Sequence, residues 1–220
     1  MTLDVSTKIN SLTLGGASNG TTPGITDIGL PETLTITNAL NVGTTGYISF
    51  SEGSKISAGA NSSNAGQIDL ENKSTLKVTG DLLNTGRLGT NLMLFGGGNT
   101  INLTGTLTNS GNVGLNGPGD VATVGNGVSN SGTLDAENGS TLKITGDVTN
   151  TGTLATDMNG RGGGKALHIK GQLTNTNSFT LGGPMDILTT TGTATHQSLF
   201  SVTGTGSMAT PWRAWSIAQL

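Results

Sequence analysis

The chain repeats itself, and this constrains its fold more than any local propensity does. Asn130 to Leu181 aligns without a gap on Asn64 to Leu115, 66 residues earlier, with about half of the positions identical. Asn64-Ala65-Gly66-Gln67-Ile68-Asp69 falls on Asn130-Ser131-Gly132-Thr133-Leu134-Asp135, and Ser74-Thr75-Leu76-Lys77-Val78-Thr79-Gly80-Asp81 falls on Ser140-Thr141-Leu142-Lys143-Ile144-Thr145-Gly146-Asp147. Gly96-Gly97-Gly98 matches Gly162-Gly163-Gly164, and Gly117-Pro118 matches Gly183-Pro184. Inside the long unit a marker, Asn-x-Gly-x-(apolar), starts at Asn64, Asn84, Asn109, Asn130 and Asn150. It weakens at Asn175, where Asn177 replaces the glycine, and fades at His196. The steps are 20, 25, 21, 20, 25 and 21 residues, so the long unit is three short ones. The five additional residues recur around Leu94 to Gly98 and Gly160 to Gly164, where the glycines predict an outward loop.

Within a short unit the apolar residues alternate with polar ones, the period of a strand. Leu76, Val78 and Leu82 are expected on one face, and Thr75, Lys77 and Thr79 on the other. No segment keeps a helical period over three turns. Two strands are legible in each clear coil, the first through the Asn-x-Gly-x-(apolar) segment and the second like Thr75-Leu76-Lys77-Val78-Thr79. A coil of two or three such strands cannot bury its apolar face alone, so successive coils must stack at about 4.8 Å. The column four residues after the marker is then Ile68, Leu88, Val113, Leu134, Leu154, Phe179 and Phe200, apolar throughout. The column seven after it, Glu71, Asn91, Asn116, Glu137, Asp157 and Gly182, is polar or small and is expected to face water. The marker asparagines are expected to bond one another up the stack, and the glycine two later to sit in a turn of positive φ.

The predicted fold is all-β, a single-stranded parallel β-helix (β-solenoid), right-handed, with about ten coils of 20–25 residues and a length of about 45 Å. Residues 1–63 read as degenerate coils, since Thr44, Gly46, Ile48 and Phe50 hold the offsets of Asn64, Gly66, Ile68 and Leu70. Residues 64–210 are the regular solenoid. Residues 211–220 form a non-repeat tail that carries both tryptophans, Trp212 and Trp215. Its abrupt departure from the pattern reads as a frameshift or a truncated gene rather than an amphipathic cap, and predicts poor packing.

Composition excludes several functions. Net charge is only -3 and no Lys/Arg cluster occurs, so there is no footprint for nucleic acid or an anionic membrane. Cysteine is absent, which removes disulfides and thiolate metal sites. No run of 18 apolar residues exists to cross a bilayer as a helix. Met1-Thr2-Leu3-Asp4-Val5 has neither the basic nor the apolar region of a secretory signal, and the chain reads as a piece of a longer gene product.

The Asn-x-Gly-x-(Leu/Ile) marker and the Ser-Thr-Leu-Lys-(Val/Ile)-Thr-Gly-Asp strand resemble bacterial filamentous-haemagglutinin-type adhesins and autotransporter passengers. They are also similar to Gly/Asn/Thr-rich repeats of large secreted proteins with PEP-CTERM sorting tails. The resemblance spans Thr33 to Thr210. It implies an exported parallel β-helix serving as a surface stalk, adhesin or matrix component.

The residues nominate no catalytic, cofactor-binding or metal site. Asp69 and Glu71 recur as Asp135 and Glu137, but three coils apart, about 14 Å at the strand spacing. Glycosidase carboxyl pairs need about 5 to 10 Å, and Gly89 and Gly114 stand between in the aspartate column. These acids are expected to form a solvated edge. No calcium-binding nonapeptide or Asp-x-Asp-x-Asp-Gly loop occurs. His168 and His196 read as surface substitutions without a second ligand, and the triple glycines lack the Gly-Lys-Ser/Thr ending of a phosphate loop. Thr104, Thr106 and Thr108 form a short threonine row of the kind ice-binding solenoids display, with Lys77 and Lys143 expected to interrupt its neighbours. The expected function is a non-enzymatic, extracellular or cell-surface structural or adhesive segment, with glycans or matrix components as partners, no cofactor, and end-to-end self-association. The alternatives are a polysaccharide lyase or hydrolase on the same scaffold, and an ice-binding solenoid.

Overall fold

The computed structural model describes residues 1–16, 22–27, 29–92, 96–160, 162–198 and 200–210, with backbone alone at 211 and 215–217. Three parallel sheets of ten strands each run the length of a β-solenoid. One coil shows the path. Gln67–Leu70 lies in the first sheet, Thr75–Val78 in the second and Leu82–Asn84 in the third, and Arg87–Thr90 returns to the first. Each coil therefore carries three strands, where two were legible. The marker asparagine closes the third strand, and the x-Gly pair after it is the corner from the third sheet to the first rather than the middle of one strand.

Register is kept residue for residue. Ile68 pairs with Leu88, Leu88 with Val113, Val113 with Leu134, Leu134 with Leu154, Leu154 with Phe179 and Phe179 with Phe200, as the column predicted. All are buried except Phe200, which packs half-buried on the end of the core. The second sheet contributes Leu76 and Val78 to the interior, and the third contributes Leu82. Residues 1–63 join the same three sheets, with Ile25, Leu34 and Leu40 carrying the core onward. At the other end Met208–Pro211 extends the second sheet, and Trp215–Ile217 pairs with Ala194–His196 in the third. The expectation of poor packing falls on the tryptophan side chains, which lie outside the described residues.

The asparagine column forms as predicted. Each Nδ2 donates to the next Oδ1, Asn64 to Asn84, Asn84 to Asn109 and Asn109 to Asn130 at 2.7 Å each, then Asn130 to Asn150 and Asn150 to Asn175 at 2.6 Å each. All six amides are buried. The same Nδ2 atoms also reach first-sheet carbonyls such as Thr133 O at 2.9 Å and Thr153 O at 2.9 Å, which ties the corner to the adjoining strand. In a dry interior such a chain of hydrogen bonds reinforces itself.

The marker glycines are required for a different reason from the one expected. Gly66, Gly86, Gly111, Gly132 and Gly152 all have ordinary negative φ. A Cβ on any of them would lie within 3.0 Å of the carbonyl oxygen of the corresponding residue one coil earlier, Gly46, Gly66, Gly86, Gly111 and Gly132 in turn. The corner backbones stack in direct contact, and only a residue without a side chain fits.

Two measurements check this account. Gly111→Ala should destabilise by about 1–3 kcal/mol or more through forced separation of coils. Gly139→Ala, at φ +73 with nothing within 4 Å, should cost only about 1–2 kcal/mol of left-handed strain. Urea unfolding that ranks them the other way would restore the positive-φ explanation. Asn109→Ala should orphan two buried amide atoms at about 1–3 kcal/mol each. Asn64→Ala, at the end of the ladder where Oδ1 has no partner, should orphan one. Equal losses at both positions would sink the idea of a continuous ladder.

Candidate functional site

The corner from the first sheet to the second is where sequence and structure differ most. Asn91 and Asp157 adopt left-handed conformations, φ 50 and 61, which Asn and Asp tolerate better than most residues. Glu71, Asn91 and Glu137 of this column are buried, not solvated, and the Asp157 side chain is 6% exposed. Asp69 and Asp135, expected on a wet edge, are buried as well.

The reason lies in the 25-residue coils. Their additional residues fold back over the coil before. Leu92 packs down onto Gly89, where a Cβ would meet Leu92 Cδ2 at 2.7 Å, and Leu92 N–H donates to Asp69 Oδ1 at 3.4 Å. One long repeat later the Met158 N–H does the same for Asp135, and Asn159 donates from N at 2.7 Å and Nδ2 at 2.9 Å to Glu137 Oε1. The described glycines of these insertions are not an open flap. Lys73 N–H donates to Gly97 O at 3.1 Å, while Gly98 N–H and Gly164 N–H donate to the carbonyls of Pro118 and Pro184. Residues 93–95 and 161, including Leu94, lie outside the described residues.

Covered in this way, the acids change character. Burial first, then the charge of Glu71, pushes Asp69 up to about 7. Burial first, then a hydrogen bond with Glu137, pushes Asp135 up to about 8. Each aspartate lies beside the glutamate two residues on, on the same side of the strand, and two carboxyls in one dry site favour retaining a proton between them.

Between the two covering segments lies a cleft of about 310 Å³. Gly114 forms its floor, Arg87 and Leu92 stand on one side, and Asp135 and Met158 on the other, with Asn112 and Asn116 within reach. It sets a carboxyl with a raised pKa and a guanidinium against two apolar side chains, suitable for one polar ring or a short chain of hydroxyls. No group of three or more metal-binding side chains occurs among the described residues.

The histidines divide. His168 is a surface residue on the second sheet, with Nδ1 2.7 Å from Thr189 Oγ1, and partial burial followed by the Lys143 charge lowers its pKa. His196 is not a surface substitution. It occupies the asparagine column, buried and stacked against Phe179 at 5.8 Å, with Phe200 at 4.7 Å, and burial lowers its pKa. Thr106 and Thr108 face outward from the third sheet, where Thr108 heads a hydroxyl column with Ser129, Thr149, Thr174 and Thr195. Lys77 and Lys143 stand in the outward row of the neighbouring second sheet, as expected, and leave the Thr108 column itself uninterrupted.

Sequence reasoning missed a further polar column. Ser54, Ser74, Asn99, Asp120, Ser140, Lys165 and Asp186 each precede a second-sheet strand and are fully buried. Side chains of one coil accept the N–H of the coil before, as in Ser74 N to Asn99 Oδ1 at 2.9 Å and Asn99 N to Asp120 Oδ1 at 2.8 Å. A polar residue ahead of each alternating run was the available signal. No known protein family, curated protein or solved structure matches this chain.

The raised aspartates fix the sign of the pH dependence. An unfolded aspartate releases its proton near pH 3.9, so between about pH 4 and pH 8 these two acids bind more protons in the folded chain than in the unfolded one, and their contribution to stability is lost as pH rises. The lowered His168 and His196 act in the opposite sense below about pH 6.5, the unfolded histidine value, so the fall belongs to the range above it. Thermal melts should show Tm dropping from about pH 6.5 to pH 8, with Asp135→Asn flattening the slope and raising Tm at pH 8. A Tm that climbs over the same range would contradict the buried acid pairs.

Proposed function

We propose that the chain is a non-enzymatic structural and adhesive segment of an extracellular or bacterial cell-surface protein, akin to the adhesins and autotransporter passengers its repeats resemble, and that its ligands are glycans. The observation that carries this is the unbroken register of ten strands in each of three sheets. Such a stack adds length without changing its cross-section, which suits a stalk. Two surfaces support contact with sugars: the cleft above Gly114 and the exposed hydroxyls of Thr108, Ser129 and Thr149. The hydroxyl column offers neutral donors and acceptors, and the cleft adds the Arg87 guanidinium to the amides of Asn112 and Asn116, chemistry that matches polyols.

A polysaccharide lyase or hydrolase is favoured by one feature, the raised pKa of Asp135 in a cleft that Arg87 also lines. Glu137 is already engaged by Asp135 and by Asn159, which leaves this acid without a separate base at glycosidase spacing.

One experiment separates the readings. The purified chain is screened against immobilised polysaccharides, with released reducing ends and unsaturated products assayed in the same wells. Retention without product, weakened several-fold by Asn112→Ala or Thr149→Val, supports the adhesive segment. Product formation abolished by Asp135→Asn would replace it with the enzyme.

A further inference from the structure

The two long repeats hold the same buried corner in two chemical forms. In the earlier copy Asn99 Nδ2 donates to Asn91 Oδ1 and to Asp120 Oδ1, both at 3.1 Å, and Asn91 Nδ2 donates to Asp120 Oδ2 at 3.0 Å. In the later copy these three residues are Lys165, Asp157 and Asp186. Asn91→Asp and Asn99→Lys are complementary changes, since the first adds a negative charge and the second a positive one. Lys165 Nζ lies 3.0 Å from Asp157 Oδ1 and 3.9 Å from Asp186 Oδ1. Lys165 and Asp186 are wholly buried. Neither Lys165 Nζ nor Asp157 Oδ1 has a hydrogen-bond partner.

The geometry points to a covalent modification site, an intramolecular amide between Lys165 Nζ and Asp157 Cγ. The three residues supply what the condensation needs. Transfer of a proton from the Lys165 ammonium to the Asp157 carboxylate gives a neutral amine and a neutral acid, the form that a dry site favours over two charges. The amine nitrogen then attacks Cγ. The proton it sheds passes by way of the Asp186 carboxylate to the departing hydroxyl, a C–O bond breaks, and one water leaves. Asp186 ends ionised as it began, and no oxidant or reductant is involved. Asp186 is fixed for this role by Thr156 Oγ1 at 2.5 Å, Gly183 N–H at 2.9 Å and Lys165 N–H at 3.2 Å. Gly183 presses its backbone onto the pair, since a Cβ there would lie 2.5 Å from Lys165 Nζ and 2.7 Å from Asp157 Oδ2. That contact excludes water and holds the reacting groups together, where proximity does most of the work. The amide would close the insertion from 157 to 165 into a ring and secure the long coil at its corner. The copy at Asn91 and Asn99 has no amine and serves as an internal control.

Intact mass spectrometry of the purified full chain tests this directly. The expected mass is that of the sequence less one water. Trypsin should then cut after Lys143 and Arg161 but fail at Lys165, yielding residues 144–161 joined to 162–170 as one branched peptide. Lys165→Met should restore the full sequence mass, and Asp186→Asn should leave at least a tenfold larger unlinked fraction after refolding. A wild-type chain at full mass with ordinary cleavage after Lys165 overturns the proposal and leaves a buried ion pair. A missing water that persists in Lys165→Met overturns it too, because the modification would then lie elsewhere.

Discussion

Everything in this structure depends on coils lying one strand spacing apart in unbroken register. The ladder hydrogen bonds run between coils rather than within them, so no coil has a conformation of its own to fall back on. A residue is therefore selected by what stands at the same place above and below it. Apolar columns pack Ile68 on Leu88 and Leu88 on Val113. At the corners the spacing leaves room for hydrogen alone, and Gly86, Gly111 and Gly132 touch backbone to backbone. Polar columns work only where each donor finds an acceptor one coil on, as Asn109 does between Asn84 and Asn130.

The parts of the fold legible in the sequence are those where one residue determines its own placement. Alternation marks Leu76 and Val78 as interior, and the recurring asparagine marks the amide ladder. The third strand escaped because Leu82–Asn84 is three residues long and two of them, Leu82 and Leu83, are leucine, so no alternation shows. The acids escaped for another reason. Asp135 is on the outward face of its strand, as predicted, and it is dry only because Met158 and Asn159 from the next coil lie across it. Burial imposed by a neighbouring coil is written in the neighbour's sequence. The pairing of small residues Gly89 and Ala155 with the apolar Leu92 and Met158 three positions later was the available trace.

Duplication explains the scaffold, and divergence between the copies explains the site. The asparagine column is identical in both long repeats because any change breaks a chain of six amides. The column ahead of the second sheet has diverged to serine, asparagine, aspartate and lysine, and where Asn91 and Asn99 stand in one copy, the oppositely charged Asp157 and Lys165 stand together in the other. Where His196 replaces the amide, the fixed cross-section turns to aromatic packing between Phe179 and Phe200 instead. Chemical novelty in such a chain enters at corners and insertions, and the sheets between them stay constant.

The amide ladder also gives the rod a direction. Every Nδ2 points toward the later coil and every Oδ1 toward the earlier one, from Asn64 to Asn175. Backbone bonds in a parallel sheet alternate in sense along each strand, whereas these side-chain dipoles all add. The column is thus a buried wire with unlike poles, and a coil laid on it backwards would set donor against donor. Assembly along this axis is vectorial: the last amide in place specifies the orientation of the next, as a ratchet admits movement one way.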